Sequence, residues 1–308
     1  MKIFTELLPL AHHYPKLAVA LGTFDGIHLG HQHIISRAVD YAKHNLGTSA
    51  VFTFSNHPLA VLAPAAAPPA IISQADKAEL LEQLGVDVLI NIPATAYFLQ
   101  LKPQEFIQLL NERLQPALVV VGPNYSFGAN RAGTPAMLAQ IAKEFHFKVE
   151  IQDAIYVDNI LVSSTVIRQL IASGKVDKAA SLLGRYWHLS GIVERGDGRG
   201  RKLGFPTANI ALPTGIITPA DGVYAVTIEV DGNRYNAVAN VGNNPTFSDQ
   251  VRRVEVHIPD FNGDLYGRQV RIYFRQYLRD ETKFSDVAQL IQQIKLDIEA
   301  AKRYYINE

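Results

Sequence analysis

The sequence contains no cysteine, which excludes disulfides, thiolate zinc sites, iron–sulfur clusters and cysteine nucleophiles at one stroke. It has no surplus of charge, since 29 Lys and Arg stand against 29 Asp and Glu. A protein that holds a long nucleic acid usually shows a clear basic excess, so this balance leaves local positive clusters for a small phosphate ligand. No stretch approaches the run of about 18 apolar residues that a membrane span needs. The N-terminal MKIFTELLPLAHHYPK also lacks the unbroken apolar segment of a secretory signal. These absences favour the cytoplasm. The composition, 48% hydrophobic and 19% charged, is that of a globular protein. At 308 residues the chain exceeds the length, about 250, at which single cores stop growing, so two domains are expected.

The two halves carry different patterns. A short apolar segment, Leu17 to Leu21, leads into Gly22-Thr23-Phe24-Asp25-Gly26, after which Ile34, Ile35, Ala38, Val39 and Ala42 recur at helical spacing. Apolar runs follow at 50–54, 86–92, 117–121 and 149–151, with amphipathic stretches near 74–84, 103–114 and 134–145 between them. Strands apolar on both faces, alternating with helices, predict an α/β domain with a parallel sheet covered on both sides. The Pro/Ala-rich stretch from Ala63 to Ala70 reads as a surface loop. After about Gly184 the runs shorten and alternate, at 222–230, 234–241 and 269–275. Asp231-Gly232 between two of them accepts the positive φ angles of a type I′ hairpin turn. The second half is expected to be an antiparallel β barrel or sandwich, closed by an amphipathic helix from about Phe284 to Tyr304. No internal repeat relates the halves, so domains are expected at 1–184 and 185–308.

The first chemical constellation is His28-Leu29-Gly30-His31, at the turn from a buried strand into a helix. Ligands of open α/β sheets bind at the carboxyl ends of strands, and helix N-termini favour anions. Glycines 22, 26 and 30 would let backbone approach a phosphate, and two imidazoles three residues apart can donate to a phosphorus centre. A lone histidine here would be an ordinary surface residue; the whole string GTFDGIHLGH makes it a site. Downstream, in Val162-Ser163-Ser164-Thr165-Val166-Ile167-Arg168, Ser163 or Ser164 can cap a helix that carries Arg168. Hydroxyls, backbone N–H groups and a guanidinium suit the β- and γ-phosphates of ATP. Alone, Ser-Ser-Thr is merely a good cap. The two motifs together resemble the nucleotidyltransferase superfamily signature, which implies transfer of a nucleotidyl group by positioning and electrostatics, without a covalent enzyme intermediate. Class I aminoacyl-tRNA synthetases share a related histidine motif, but their Lys-Met-Ser-Lys-Ser loop is absent.

The second constellation, GDGRGRKLGFPTAN at 196–209, is neither a Walker A loop nor Gly-x-Gly-x-x-Gly. Gly198, Gly200 and Gly204, interleaved with Arg199, Arg201 and Lys202, form either a flap of N–H groups and cations over phosphates or a solvated basic loop. Thr207 and Asn209 project to one side of an extended segment and pair as hard ligands for Mg²⁺ held by ATP. Glu255 lies in an apolar strand, where a partly buried carboxylate can act as general base; the plain alternative is a rim glutamate paired with Arg252 or Arg253. His257, on the same strand face, reads as a structural hydrogen bonder.

GTFDGIHLGH, VGPNYSFG (121–128), VSSTVIR, GRGRKLGFPTAN, NVGNNPTF (240–247) and EVHIPDFNGDLYG (255–267) follow the order seen in the bacterial bifunctional riboflavin kinase/FAD synthetase family, which the chain resembles from about Leu17 to about Tyr304. The resemblance implies a Rossmann-like nucleotidyltransferase domain followed by a riboflavin kinase barrel. It implies that ATP phosphorylates riboflavin to FMN in the barrel and adenylylates FMN to FAD in the first domain, with Mg²⁺ as cofactor. His28 and His31 would then stabilise the transferring phosphate, with Ser164, Thr165 and Arg168 on the leaving pyrophosphate. Gly22, Thr23, Phe24, Asp25 and Gly30 would bind the nucleotide. Asn124 would lie near the adenylylation substrates, and Asn56 and Pro58 would wall the flavin side. Thr207 and Asn209 would hold the metal, and Glu255 would take the proton of the ribityl 5′-hydroxyl. Departures from the family pattern fall at Pro123, Tyr125, Asn130-Arg131, Arg185-Tyr186-Trp187 and Pro259, and none removes a proposed catalytic group. The rival readings are a single live site, a non-catalytic flavin or nucleotide binder, and a nucleotidyltransferase with another phosphate acceptor.

Overall fold

The apolar runs of the first half become one fully parallel sheet in the computed structural model, which describes residues 1–10, 12–196, 198–243, 252–259 and 261–307, with backbone alone at 199, 202, 243 and 307. Two units arise, Met1–Ser164 and Thr165–Glu308. The first holds β1 (Lys2–Phe4), β2 (Ala18–Leu21), α1 (Leu29–Asn45), β3 (Ser49–Phe54), α2 (Pro58–Leu62), α3 (Gln74–Gln83), β4 (Val88–Ile92) and α4 (Ala96–Leu99). It continues with α5 (Pro103–Leu114), β5 (Leu118–Val121), α6 (Pro135–Ile141), β6 (Lys148–Ile151) and a small hairpin, β7 (Tyr156–Val157) and β8 (Ile160–Leu161). The sheet order is β1-β4-β3-β2-β5-β6. Every residue of β2 and β5 is buried, as strands covered on both faces require. The apolar stripe of α1 (Ile34, Ile35, Ala38, Val39, Ala42) is its buried face. The Pro/Ala stretch is a connection holding one short 3₁₀ turn, Pro64–Ala66.

This strand order places the site. From β2 the chain steps to β3 and β4 on one side, then crosses to β5 on the other. The connections therefore diverge between β2 and β5, and the crevice outside the carboxyl ends of these two strands is where such sheets bind ligands. The turn after β2 carries GTFDGIHLGH, and the turn after β5 carries Asn124.

The second unit begins with α7 (Ser164–Ala172, its first residue still in the first unit) and α8 (Val176–Leu183). Then follow β9 (His188–Glu194), α9 (Arg199–Lys202), β10 (Thr207–Ala211), β11 (Gly222–Val230), β12 (Asn233–Asn243), β13 (Arg252–His257), β14 (Gln269–Arg279) and α10 (Val287–Asn307). Of barrel and sandwich, the barrel forms: β10-β13-β12-β11-β14-β9 closes on itself with antiparallel pairing throughout. Closure leaves no unpaired edge. The β11–β12 hairpin turns on Asp231 (φ 49°) and Gly232 (φ 78°), the two positive angles of a type I′ turn. Ala208, Ile210, Val254 and Val256 point into the barrel and are buried. Alternation therefore sends Thr207, Asn209, Glu255 and His257 to its outer face.

α10 packs over β11 and β12 and is tied to the end of β14. Arg279 forks onto Asp297, donating from Nε at 2.8 Å and from Nη2 at 2.7 Å. Asp297 is only 6% exposed. Asp297→Ala strips a half-buried guanidinium of its carboxylate and should cost the second unit about 2 kcal/mol, measurable as a lower denaturant midpoint for that unit with an unchanged first unit.

Candidate active sites

His28 is the N-cap of α1: its Nδ1 accepts the backbone N–H of His31 at 3.2 Å. A ring nitrogen that accepts carries no proton, so the neutral imidazole holds its hydrogen on Nε2, the end that can donate to an oxyanion. The His31 ring stacks on that of His28, with centroids 3.6 Å apart and planes 19° from parallel. Phe24 meets His31 edge-on at 5.2 Å. Both imidazoles thus stand at a helix N-terminus, whose dipole favours negative charge. Ser164 joins this turn, its Oγ donating to the Asp25 carbonyl at 2.9 Å. Thr165, exposed, and Arg168, half-buried, lie on α7 in the second unit.

Other residues expected at the ligand build the turn itself. Phe24 is fully buried with φ 47°, Ile27 is buried with φ 39°, and Gly26 has φ 82°. A Cβ at Gly22 would lie 2.9 Å from the Phe24 ring, one at Gly26 3.0 Å from Ile71, and one at Gly30 3.3 Å from the His28 ring. The room these glycines leave is filled by the protein's own side chains. The Asp25 carboxylate accepts the Ile71 N–H, at 2.9 and 3.2 Å to its two oxygens. The Thr23 side is exposed, and its carbonyl accepts from Thr53 Oγ1 at 3.0 Å and from Lys77 Nζ at 3.1 Å. Asn56 clamps the turn after β3 to the turn after β4, accepting Ala94 N–H at 2.7 Å and donating to Ala94 O at 3.3 Å. Pro58 opens α2 directly after its cap, His57. Asn124 is exposed beyond β5.

Two features of this unit escape sequence periodicity. One is Lys77, 4% exposed, in the first turn of α3. Burial pushes its ammonium down from the ordinary 10.5 to about 8, with the Asp25 carboxylate pulling the other way. The other is an aromatic array at the carboxyl end of the sheet. Phe54 meets Phe98 at 5.7 Å, Phe98 meets Phe106 at 5.9 Å, Phe106 meets Phe127 at 5.3 Å, and Phe127 stacks on Tyr125 at 5.7 Å. Phe54, Phe98 and Tyr125 are partly exposed and form its open side.

In the barrel, register brings the second constellation together. Asn209 pairs with Glu255 and Thr207 with His257 across β10 and β13, so all four share one face. Asn209 is 8% exposed, with Gly196 lying against it. A Cβ at Gly196 would stand 2.4 Å from Asn209 Nδ2, and one at Gly200 would stand 2.3 Å from Phe205 O and 3.4 Å from Thr207 Oγ1. Only glycine permits that approach. Gly198 (φ 66°) and Gly204 (φ 88°) flank α9, and Arg201 is exposed; the Lys202 side chain lies outside the described residues. His257 Nδ1 is 2.9 Å from the Pro206 carbonyl and must donate to it, which fixes the ring as a structural brace for the loop. Arg252 does not serve Glu255: it binds Asp221 through Nε at 2.7 Å and the Pro219 carbonyl at 2.6 Å. Asn240 stands opposite Glu255 on β12 and donates to Glu281 at 3.0 Å, adding an amide and a carboxylate that sequence reasoning gave no role. Asn240 opens NVGNNPTF, whose residues 244–247 lie outside the described residues.

Comparison with known proteins decides the family of the chain. The family profile for FAD synthetase matches residues 11–166, and that for riboflavin kinase matches 183–305. The bifunctional riboflavin kinase/FMN adenylyltransferase of Bacillus subtilis is 37% identical over 95% of this chain and 93% of its own. That of Listeria monocytogenes is 38% identical over 93% and 92%. The chain belongs to the bifunctional riboflavin kinase/FMN adenylyltransferase family. It phosphorylates riboflavin to FMN and adenylylates FMN to FAD, with ATP as co-substrate in both reactions. A crystal structure from Streptococcus pneumoniae, described as a macrolide-efflux protein, shares the fold with TM-score 0.86 and 36% identity over 94% of each chain. Efflux is said of that protein alone; among the described residues here, no helix is long and apolar enough to cross a membrane.

Two outcomes follow from the site geometry. Gly196→Ala should push the Asn209 amide aside and lower riboflavin phosphorylation by about tenfold or more, leaving FMN adenylylation unchanged when both are assayed on one preparation. Lys77, whose folded value near 8 lies below the ordinary 10.5, lends stability that is present above 10.5 and lost as pH falls through 8. Wild type should therefore gain stability relative to Lys77→Met between pH 8 and pH 10.5 in chemical denaturation of the first unit.

Proposed function

We propose that adenylyl transfer takes place at the His28–His31 turn and phosphoryl transfer at the Thr207–Asn209–Glu255 face. The supporting observation is that His28, His31 and Ser164 meet at one helix N-terminus, and Thr207, Asn209 and Glu255 on one barrel face. At the first site, His28 Nε2–H and His31 stabilise charge on the α-phosphate, with Ser164 on the departing pyrophosphate; Thr165 and Arg168 belong to the same motif and follow Ser164 along α7. The adenylylating part then runs from residue 1 to residue 184, and the phosphorylating part from 185 to 308. Gly22, Thr23, Phe24, Asp25 and Gly30 shape the nucleotide side. The open side of the aromatic array (Phe54, Phe98, Tyr125) offers a flat ligand its faces, near Asn56, Pro58 and Asn124.

At the second site, Glu255 takes the proton of the ribityl hydroxyl while the loop bearing Gly198, Gly200, Arg201, Lys202 and Gly204 covers the triphosphate. Thr207 and Asn209 offer neutral, hard oxygens on the face that Glu255 shares, a donor set that fits Mg²⁺ arriving with its nucleotide. No group of three His, Cys, Asp or Glu among the described residues could cage a bare ion, so the phosphates would supply most of the opposing charge. Bound there, Mg²⁺ neutralises charge on the transferring phosphate. A cytoplasmic location completes this reading.

Glu255→Gln should lower FMN formation from riboflavin by about 10²-fold or more and leave FMN-to-FAD conversion intact. His28→Ala should do the reverse, by about 10²-fold. Riboflavin, FMN and FAD resolved over time with ATP and Mg²⁺ check both. Loss of both reactions in either folded variant contradicts separate sites.

A further inference from the structure

The turn between β2 and α1 holds an unusual concentration of unfavourable backbone. Phe24 and Ile27 are bulky, buried and in the left-handed region, at φ 47° and 39°. Such residues persist only where the surroundings over-determine them. The surroundings here are specific. Gln32 Nε2 donates to Ile27 O at 2.9 Å, Ser164 to Asp25 O at 2.9 Å, and Ile71 N–H to the Asp25 carboxylate at 2.9 Å. At the entrance to the turn, the Thr23 carbonyl receives Thr53 Oγ1 at 3.0 Å and Lys77 Nζ at 3.1 Å. The same ammonium reaches the Phe54 carbonyl at 3.4 Å, where β3 ends.

We propose that Lys77 is a positioning residue for adenylyl transfer, fixing the Thr23 and Phe54 carbonyls to one buried cation and so setting the turn that presents His28 and His31. This rests on the reading that the first unit transfers the adenylyl group at that turn. No described peptide bond is cis. In a trans peptide the C=O and N–H point in opposite directions, so holding the Thr23 carbonyl on the buried ammonium fixes the plane of the Thr23–Phe24 peptide at the entrance to the turn. That peptide leads into the helix N-terminus, which favours an anion. The tie to Phe54 sets the distance between this peptide and the aromatic array that begins at that residue. An ordinary core side chain would do neither, and a buried lysine costs stability that leucine or methionine would not. Burial also draws the lysine down to about 8, which leaves most of it charged at neutral pH.

The test uses the full chain and both of its reactions. Lys77→Met should lower kcat for FMN adenylylation by about tenfold or more and raise the KM for ATP in that reaction, with riboflavin phosphorylation within twofold of wild type. A variant that melts earlier yet keeps the kcat and ATP KM of adenylylation overturns the proposal, because it reveals a merely structural lysine. Lys77→Arg keeps charge and donors and should recover part of the loss. If Lys77→Met leaves the first unit unfolded, Lys77→Gln decides, since it keeps a polar N–H donor but loses the cation shared by Thr23 O and Phe54 O. A kinetic defect there without a shift in melting sustains the idea, and unaltered kinetics sink it. His28→Ala, run alongside, separates the two layers: adenylylation retained in His28→Ala refutes the site, whereas adenylylation lost there but retained in Lys77→Met refutes Lys77 alone.

Discussion

The bond from the His31 N–H to His28 Nδ1 is the interaction on which the first site depends. It satisfies one of the N–H groups that every helix leaves unpaired at its start, so it begins α1 where it does. It also decides which nitrogen of His28 carries hydrogen, and therefore which end of the ring can donate. One contact thus performs a folding task and a chemical one. The stacking of His31 on His28 then holds the second imidazole beside the first, and Gly30 between them leaves that ring space to lie flat. His-x-Gly-His is compact because cap, stack and gap need adjacent positions on a single turn.

In the barrel the corresponding constraint is register. Side chains alternate between the inside and the outside of a closed sheet, so a slip of one residue would bury Asn209 and Glu255 inside and expose Ile210 and Val254. The apolar interior therefore pins the polar outer row, and the stability of the core and the geometry of the site are one requirement. Gly196 and Gly200 add a second constraint, because their backbone lies where any side chain would strike Asn209 or the Phe205 carbonyl.

Much of this was legible in the residues. The α/β half, its parallel sheet, the α1 stripe, the Asp231-Gly232 turn and the terminal helix follow from periodicity and turn chemistry, which are local. Strand β1 was not legible: three residues at a sheet edge give no period to count. Barrel and sandwich could not be separated, because alternation fixes faces and says nothing about closure. Within the motifs, identity was easier to read than role. Phe24, Asp25 and Asn56 sit in strings that mark a ligand site, yet their side chains brace the turns around it. Lys77 was invisible for a different reason. In a helix rich in polar residues it resembles any solvated lysine, and its partners, Thr23 O and Phe54 O, are backbone atoms that belong to no pattern.

On the proposed assignment, the chemistry of the two acceptors would account for what differs between the sites. A phosphate monoester has its second pKa near 6, so FMN arrives already as an anionic nucleophile and needs no base. The turn after β2 fits that need: its one carboxylate, Asp25, receives a backbone N–H, and the groups offered outward are imidazoles, a hydroxyl and a helix terminus, all suited to stabilising negative charge. The ribityl hydroxyl of riboflavin is a poor nucleophile until a proton is withdrawn from it. On the barrel face a carboxylate, Glu255, therefore stands among amides and a hydroxyl, paired directly with Asn209 and Asn240. Opposed cations there would lower its basicity, and Arg252, one of the two cations near it along the strand, is turned to Asp221 instead. On the proposed assignment, a base in one site and none in the other would follow from the protonation state in which each acceptor arrives.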